Sequence, residues 1–164
     1  MKNIMIAVLL AVSLEAWIIY MSKANALTVQ DARTVYKKLC LVNTICPELY
    51  IVKNDDYLNA EASCDGVYIY TAMLKFLENN DQLALVLGHE LGHIQNKDCK
   101  RFHTYTKEYH ADQYGANLMT KAKFNRCKGV RHFKKFMRVF GDGTSLTHPM
   151  DSLRFNRINY NCKE

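Results

Sequence analysis

Proline is almost missing from this chain, with two in 164 residues, and glycine is scattered over seven positions. No Pro/Gly-rich stretch reads as a linker, so composition gives no reason to divide the chain into domains. Internal repeats and low-complexity tracts are absent, which argues against a repeat array and a disordered tail. Six cysteines contain no CxxC pair, which argues against a cysteine-held zinc or a thioredoxin-like dithiol. What is present, 49% hydrophobic and 23% charged residues, is the material of one ordinary globular domain with a core of its own.

The N-terminus stands apart. Lys2 gives a positive start, Ile4 to Leu14 is an apolar run of signal-peptide length, and Ala24-Asn25-Ala26 fits the small-x-small cleavage rule. Residues 1–26 are therefore expected to be a signal peptide, leaving 27–164 as the working domain. The alternative is an uncleaved membrane anchor facing outward, since Ile4 to Met21 could span a bilayer. Glu15 opposes that, because an acidic side chain costs about 3 kcal/mol at mid-helix. No cysteine directly follows the apolar run, which argues against a lipoprotein. Either way the domain is expected outside the inner membrane, in the periplasm or secreted.

All six cysteines follow the proposed cut, and an even number in an oxidising compartment predicts up to three disulfides, with the pairing left open. The net charge of +6 falls to +5 once Lys2, Glu15 and Lys23 are removed. Such a surplus suits association with an anionic membrane or envelope surface, and it is also what an ordinary solvated face carries. A nucleic-acid partner is not expected: Arg131, Lys134, Lys135 and Arg138 fit the outer face of an amphipathic helix over Val130 to Phe140.

Periodicity predicts a helix over Thr28 to Cys40 and a short strand over Leu49 to Val52. Asn54-Asp55-Asp56 reads as a turn. Two further strands, Tyr57 to Ser63 and Val67 to Tyr70, would join through a hairpin at Cys64-Asp65-Gly66. Helices follow over Thr71 to Glu78, Asn79 to Asn96 with Asn80 or Asp81 as its cap, and Lys107 to Lys121. A small antiparallel sheet packed with helices makes this an α+β domain.

Within the Asn79–Asn96 helix lies Gly88-His89-Glu90-Leu91-Gly92-His93. Four residues are a little over one helical turn, or about 6 Å of rise, so both imidazoles leave one face and can grip a single ion. Glu90, rotated about 100° from His89, can reach a water in the open coordination position without being a ligand. Two nitrogen ligands and a carboxylate base are what a zinc peptidase needs. Gly88 and Gly92 each cost about 1 kcal/mol relative to Ala in a helix, which suggests that something packs closely there. The competing reading is a core helix whose histidines make ordinary polar contacts.

A catalytic zinc wants a third protein ligand. The metzincin extension would place glycine and histidine where this chain has Asn96 and Cys99, so that source fails. His103, Glu108, His110, Asp112 and His148 remain. Glu108 and Asp112 are four apart on one helix face, so one could ligate while the other accepts a hydrogen bond from a ligand histidine. They could equally pair with Lys107 or Lys121 at the surface.

Glu108-Tyr109-His110-Ala111-Asp112-Gln113-Tyr114-Gly115 resembles the ExxAD segment of the HtpX-like and CAAX prenyl endopeptidase group, metallopeptidase family 48 among the gluzincins. Asn59-Ala60 and Gly66 to Thr71 resemble that family's strand pair, and Thr147-His148-Pro149 with Arg154 resembles its HP-x4-R segment. The likeness runs from about Tyr57 to Ile158. It implies a zincin-like fold, one zinc per chain on His89, His93 and Glu108, and Asp112 supporting a ligand. It further implies that His148 sits over the site and that Arg154 anchors its segment. An extended substrate is expected to add as a strand at the sheet edge near Asn59 to Ser63, with Asn59 and Ala60 binding it. His110 and Phe155 depart from the family's usual residues, and the membrane helices of larger relatives are absent, as in a minimal secreted form.

The expectation is a zinc endopeptidase cutting misfolded or misassembled envelope polypeptides, with Glu90 and His148 as its catalytic groups. Two other readings compete: a metal-stabilised envelope chaperone or assembly factor, and a hydrolase of peptidoglycan cross-links. The oligomeric state is not read from the sequence.

Overall fold

The computed structural model describes residues 26–98, 104–131, 152–159 and 162. The proposed signal peptide or anchor, His103, His148, and most of the predicted Val130–Phe140 helix lie outside the described residues. Among the described residues no helix is long and apolar enough to cross a membrane.

Helix α1 (Val29–Cys40) opens with a capping box: Thr28 Oγ1 accepts from the Asp31 amide, and Asp31 accepts from the Thr28 amide. It buries Ala32, Val35, Tyr36 and Leu39 of the stripe that the periodicity predicts, while Val29, expected on the same side, is exposed in the first turn. A Cys40–Cys46 disulfide closes the loop beyond it, Cys127–Cys162 ties two distant segments, and Cys64 is bonded too.

Strands β1 (Glu48–Val52), β2 (Ala60–Ala62) and β3 (Gly66–Tyr70) form one sheet in the order β1-β3-β2. The antiparallel expectation is corrected here. β2 pairs antiparallel with β3, but β1 runs parallel to it, so the sheet is mixed. The cause is burial. β3 carries Val67 and Ile69, both fully buried, and takes the central position with a strand on either side. Asn54 makes the predicted turn by accepting from the amides of Asp56 and Tyr57, but the segment then crosses to the far side of β3. β2 is shorter than expected for the same reason: residues 57–59 are spent on that crossing.

The Asp-Gly signal also needs a correction. Ser63 and Gly66 exchange backbone hydrogen bonds, so the hairpin loop is Cys64-Asp65 and Gly66 already belongs to β3. Its lack of a side chain serves packing: a Cβ there would lie 2.5 Å from the Glu48 carbonyl and 2.6 Å from the Tyr50 ring.

Helices α2 (Thr71–Phe76), α3 (Asn80–Gln95) and α4 (Tyr105–Lys121) follow, then helical residues 126–131 and the short α5 (Ser152–Ile158). Asn79 caps α3, one residue before the expected cap, by accepting from the amides of Asp81 and Gln82. α3 is the central element. The inner face of the sheet, α1 and α4 all pack on it, and nearly every residue from Gln82 to His93 is buried. It ends in a Schellman turn, with the Asp98 amide on the His93 carbonyl and Lys97 in the left-handed region.

Candidate metal centre

The glycines of α3 mark where α4 crosses it. A Cβ on Gly88 would lie 3.0 Å from Gly115 Cα, and one on Gly92 would lie 2.9 Å from Ala111 Cα. From the other side, a Cβ on Gly115 would lie 2.6 Å from the His89 amide nitrogen. Small residues on both helices let the two backbones touch. That closeness is what carries a carboxylate of α4 to the histidines of α3.

The result is one buried cluster. His89 Nε2 and His93 Nε2 are 3.0 Å apart, with the rings nearly perpendicular. Glu108 reaches both, with Oε2 3.4 Å from His89 Nε2 and Oε1 3.3 Å from His93 Nε2. A tetrahedral ion about 2.0 Å from each donor spaces its ligands about 3.3 Å apart, so the three atoms fit one ion. Among the described residues, His89, His93 and Glu108 form the group of donors that could hold a metal.

Asp112 and Arg154 frame this group. Asp112 Oδ1 lies 2.9 Å from His89 Nδ1, which leaves Nε2 for the centre. Arg154, on α5, donates to both Asp112 oxygens at 2.7 Å and stands 2.8 Å from Glu108 Oε2. Glu90 is buried as well, and its charge acts on the His93 ring. Glu90, Glu108 and Asp112 thus set three carboxylates around two imidazoles and one guanidinium, an oxygen and nitrogen donor set that suits a divalent ion.

The titration behaviour of the metal-free protein follows from the same contacts. Burial works against a charged His89, but hydrogen bonds to Asp112 and Glu108 outweigh it and push the pKa up to about 10. His93 moves the other way: burial holds it below the usual histidine value, so it is a neutral donor. Burial also opposes ionisation of Asp112, but the bonds from Arg154 and His89 prevail and its pKa is lowered.

Of the remaining sequence candidates, His110 is exposed and is not among the grouped donors. The surface-pair alternative for Glu108 and Asp112 is overturned: both are buried, and Lys107 pairs with Asp98 at 3.3 Å instead. Asn59 and Ala60 are buried at the start of β2, which packs on α3. The sequence reading missed Arg157. Its guanidinium lies 5.4 Å from the Tyr105 ring centre and 4.4 Å from that of Tyr109, so it docks α5 onto α4. The spacing of Arg154 and Arg157 by three, and of the two tyrosines by four, was the available signal.

Two imidazoles one turn apart, joined by a carboxylate from a crossing helix, place this α+β domain among the metallopeptidases. More particularly, the chain belongs to peptidase family M48, whose model matches residues 23–106, just over half of the chain. The matched stretch includes His89, Glu90 and His93 and ends before Glu108, Asp112 and Arg154, which the fold brings to the same place. No curated protein matches the chain.

Proposed function

We propose that this chain is a zinc-dependent endopeptidase acting on unfolded or misassembled proteins outside the cytoplasm. The observation that carries this reading is the convergence of His89 Nε2, His93 Nε2 and Glu108 on one point beside Glu90. Zinc held by His89, His93 and Glu108 would supply Lewis acidity for a bound water, whose pKa it would lower to about 7, and for a scissile carbonyl.

The chain's own residues do the rest. Asp112 fixes the His89 tautomer, and Arg154 holds Asp112 and Glu108 in place. Glu90 takes the water's proton and passes it to the leaving amine. His148, outside the described residues, is proposed to meet the developing oxyanion.

Substrate is proposed to add as a strand along β2, beside Asn59 and Ala60. Because Ser63 and Gly66 exchange hydrogen bonds and the Tyr70 amide donates to the Asn59 carbonyl, the peptide groups of Ala60 and Ala62 point away from β3. Those groups offer main-chain hydrogen bonds to an extended chain of any sequence. Export is supported by the disulfides Cys40–Cys46 and Cys127–Cys162.

The test is metal analysis of the purified protein with cleavage of unfolded casein before and after chelation. About one zinc per chain is expected, with activity lost on chelation and restored by zinc. Casein cleavage that persists in Glu90→Gln, or that ignores chelation, overturns the reading. Cleavage of muropeptides but not of casein would favour a cross-link hydrolase instead.

A further inference from the structure

The outer face of the sheet is unlike the rest of this basic chain. Away from the helices it presents Glu48, Tyr50, Tyr57, Glu61, Tyr68 and Tyr70, and no lysine or arginine of the strands themselves. Tyr50 stacks on Tyr68 with centroids 4.6 Å apart, and Tyr57 stands edge-on to Tyr70 at 5.0 Å. Hydroxyls pin two of these rings: Tyr68 donates to Asp65 at 2.7 Å and Tyr70 donates to Glu61 at 2.9 Å. Among the described residues, no ion pair with a cation involves Glu48, Glu61 or Asp65, although the chain carries a net charge of +6.

Glu61 has a special position in this face. It lies on β2, an outer strand of the sheet, between Ala60 and Ala62. Those two alanines direct their peptide groups outward, so an antiparallel strand added there would bond through them and leave Glu61 in a non-hydrogen-bonded pair. In such pairs the facing side chains stand closest, with Cα atoms about 4.5 Å apart. A side chain opposite Glu61 would meet a carboxylate that accepts only a neutral hydroxyl, beside the electron-rich faces of Tyr57 and Tyr70.

We infer that Glu61 is a specificity-determining residue that selects a lysine or arginine at one position of a polypeptide strand laid along β2. The inference rests on the proposed use of this edge by substrate. It gives a sequence-tolerant main-chain site one side-chain preference, set by charge complementarity and cation–π contact.

The experiment uses the full mature protein and an extended peptide of otherwise uncharged residues, with a single Lys or a single Glu stepped along it. Both cleavage rate and binding, by fluorescence anisotropy, are read as the Lys-to-Glu ratio at each position. The wild type should favour Lys at one position by about fivefold or more. Glu61→Lys should invert that ratio, and Glu61→Gln, the safer variant for folding, should bring it close to one. A ratio that is the same in all three proteins overturns the inference. If peptides are cleaved but the ratio ignores residue 61, the peptidase reading survives and this one fails. If nothing is cleaved but the binding ratio inverts, the reverse holds.

Discussion

Glu108 and Glu61 lie on elements that flank the same helix, α3, and they live under opposite conditions. Glu108 is fully buried where α4 crosses α3, and its neighbours are two imidazoles and a guanidinium. Glu61 is half-buried at the sheet edge, and a tyrosine hydroxyl is its hydrogen-bond donor. An ionised carboxylate can be buried only where other charges face it, so the crossing can change none of its members without loss. The edge carboxylate keeps water as an alternative partner, so it can exchange partners at little cost. One region has donors that could share an ion and are fixed by one another, and the other has a carboxylate free to change partners.

The contrast can be broken most severely at Arg154. Arg154→Met leaves Glu108 and Asp112 without their shared cation in a dry site, and unfolding in denaturant should show a loss of about 3–5 kcal/mol. A loss below about 1 kcal/mol would mean that water reaches the cluster.

Asp112→Asn is milder and acts on the metal. In the metal-free protein His89 is pushed up to about 10, so at neutral pH an incoming ion must displace a proton. The sign follows: affinity rises as pH rises, about tenfold per unit, and levels off near the His89 pKa. Asparagine cannot support the charged imidazole, so that pKa falls, the slope flattens near neutrality, and affinity drops about 10–100-fold. Chelator competition between acidic and mildly alkaline pH measures both effects. Wild-type affinity that ignores pH would contradict the proton competition.

At the edge the expected effect is smallest. Tyr70→Phe removes a half-exposed hydrogen bond to Glu61 and should cost at most about 1 kcal/mol of stability. It should narrow the Lys-to-Glu ratio without inverting it, and a larger stability loss would place Glu61 in the same rigid class as Glu108.

Local patterns were legible wherever one helix or strand decided the matter. Val35 and Leu39 on α1, the His89–His93 spacing, and the glycines that announce a close neighbour all follow from the 3.6-residue period. Relations between elements were not. Spacing makes Glu108 and Asp112 interchangeable, and only the crossing of α3 and α4 puts one at the two Nε2 atoms and the other at His89 Nδ1. Composition marked a strand over Val67 to Tyr70, yet it could not say that β3 would lie between the other two strands. Gly66 misled because Asp-Gly is a turn signal, whereas here the glycine makes room for the Tyr50 ring.

Arg154 reaches Asp112 across 42 intervening steps of sequence, from a helix that comes late in the chain. The guanidinium that faces both Glu108 and Asp112 therefore comes from neither helix of the crossing but from α5. The charge balance of the buried cluster thus depends on a late segment of the chain, and a truncation that removes α5 should strip the cluster of this guanidinium while leaving α3 and α4 their full sequence.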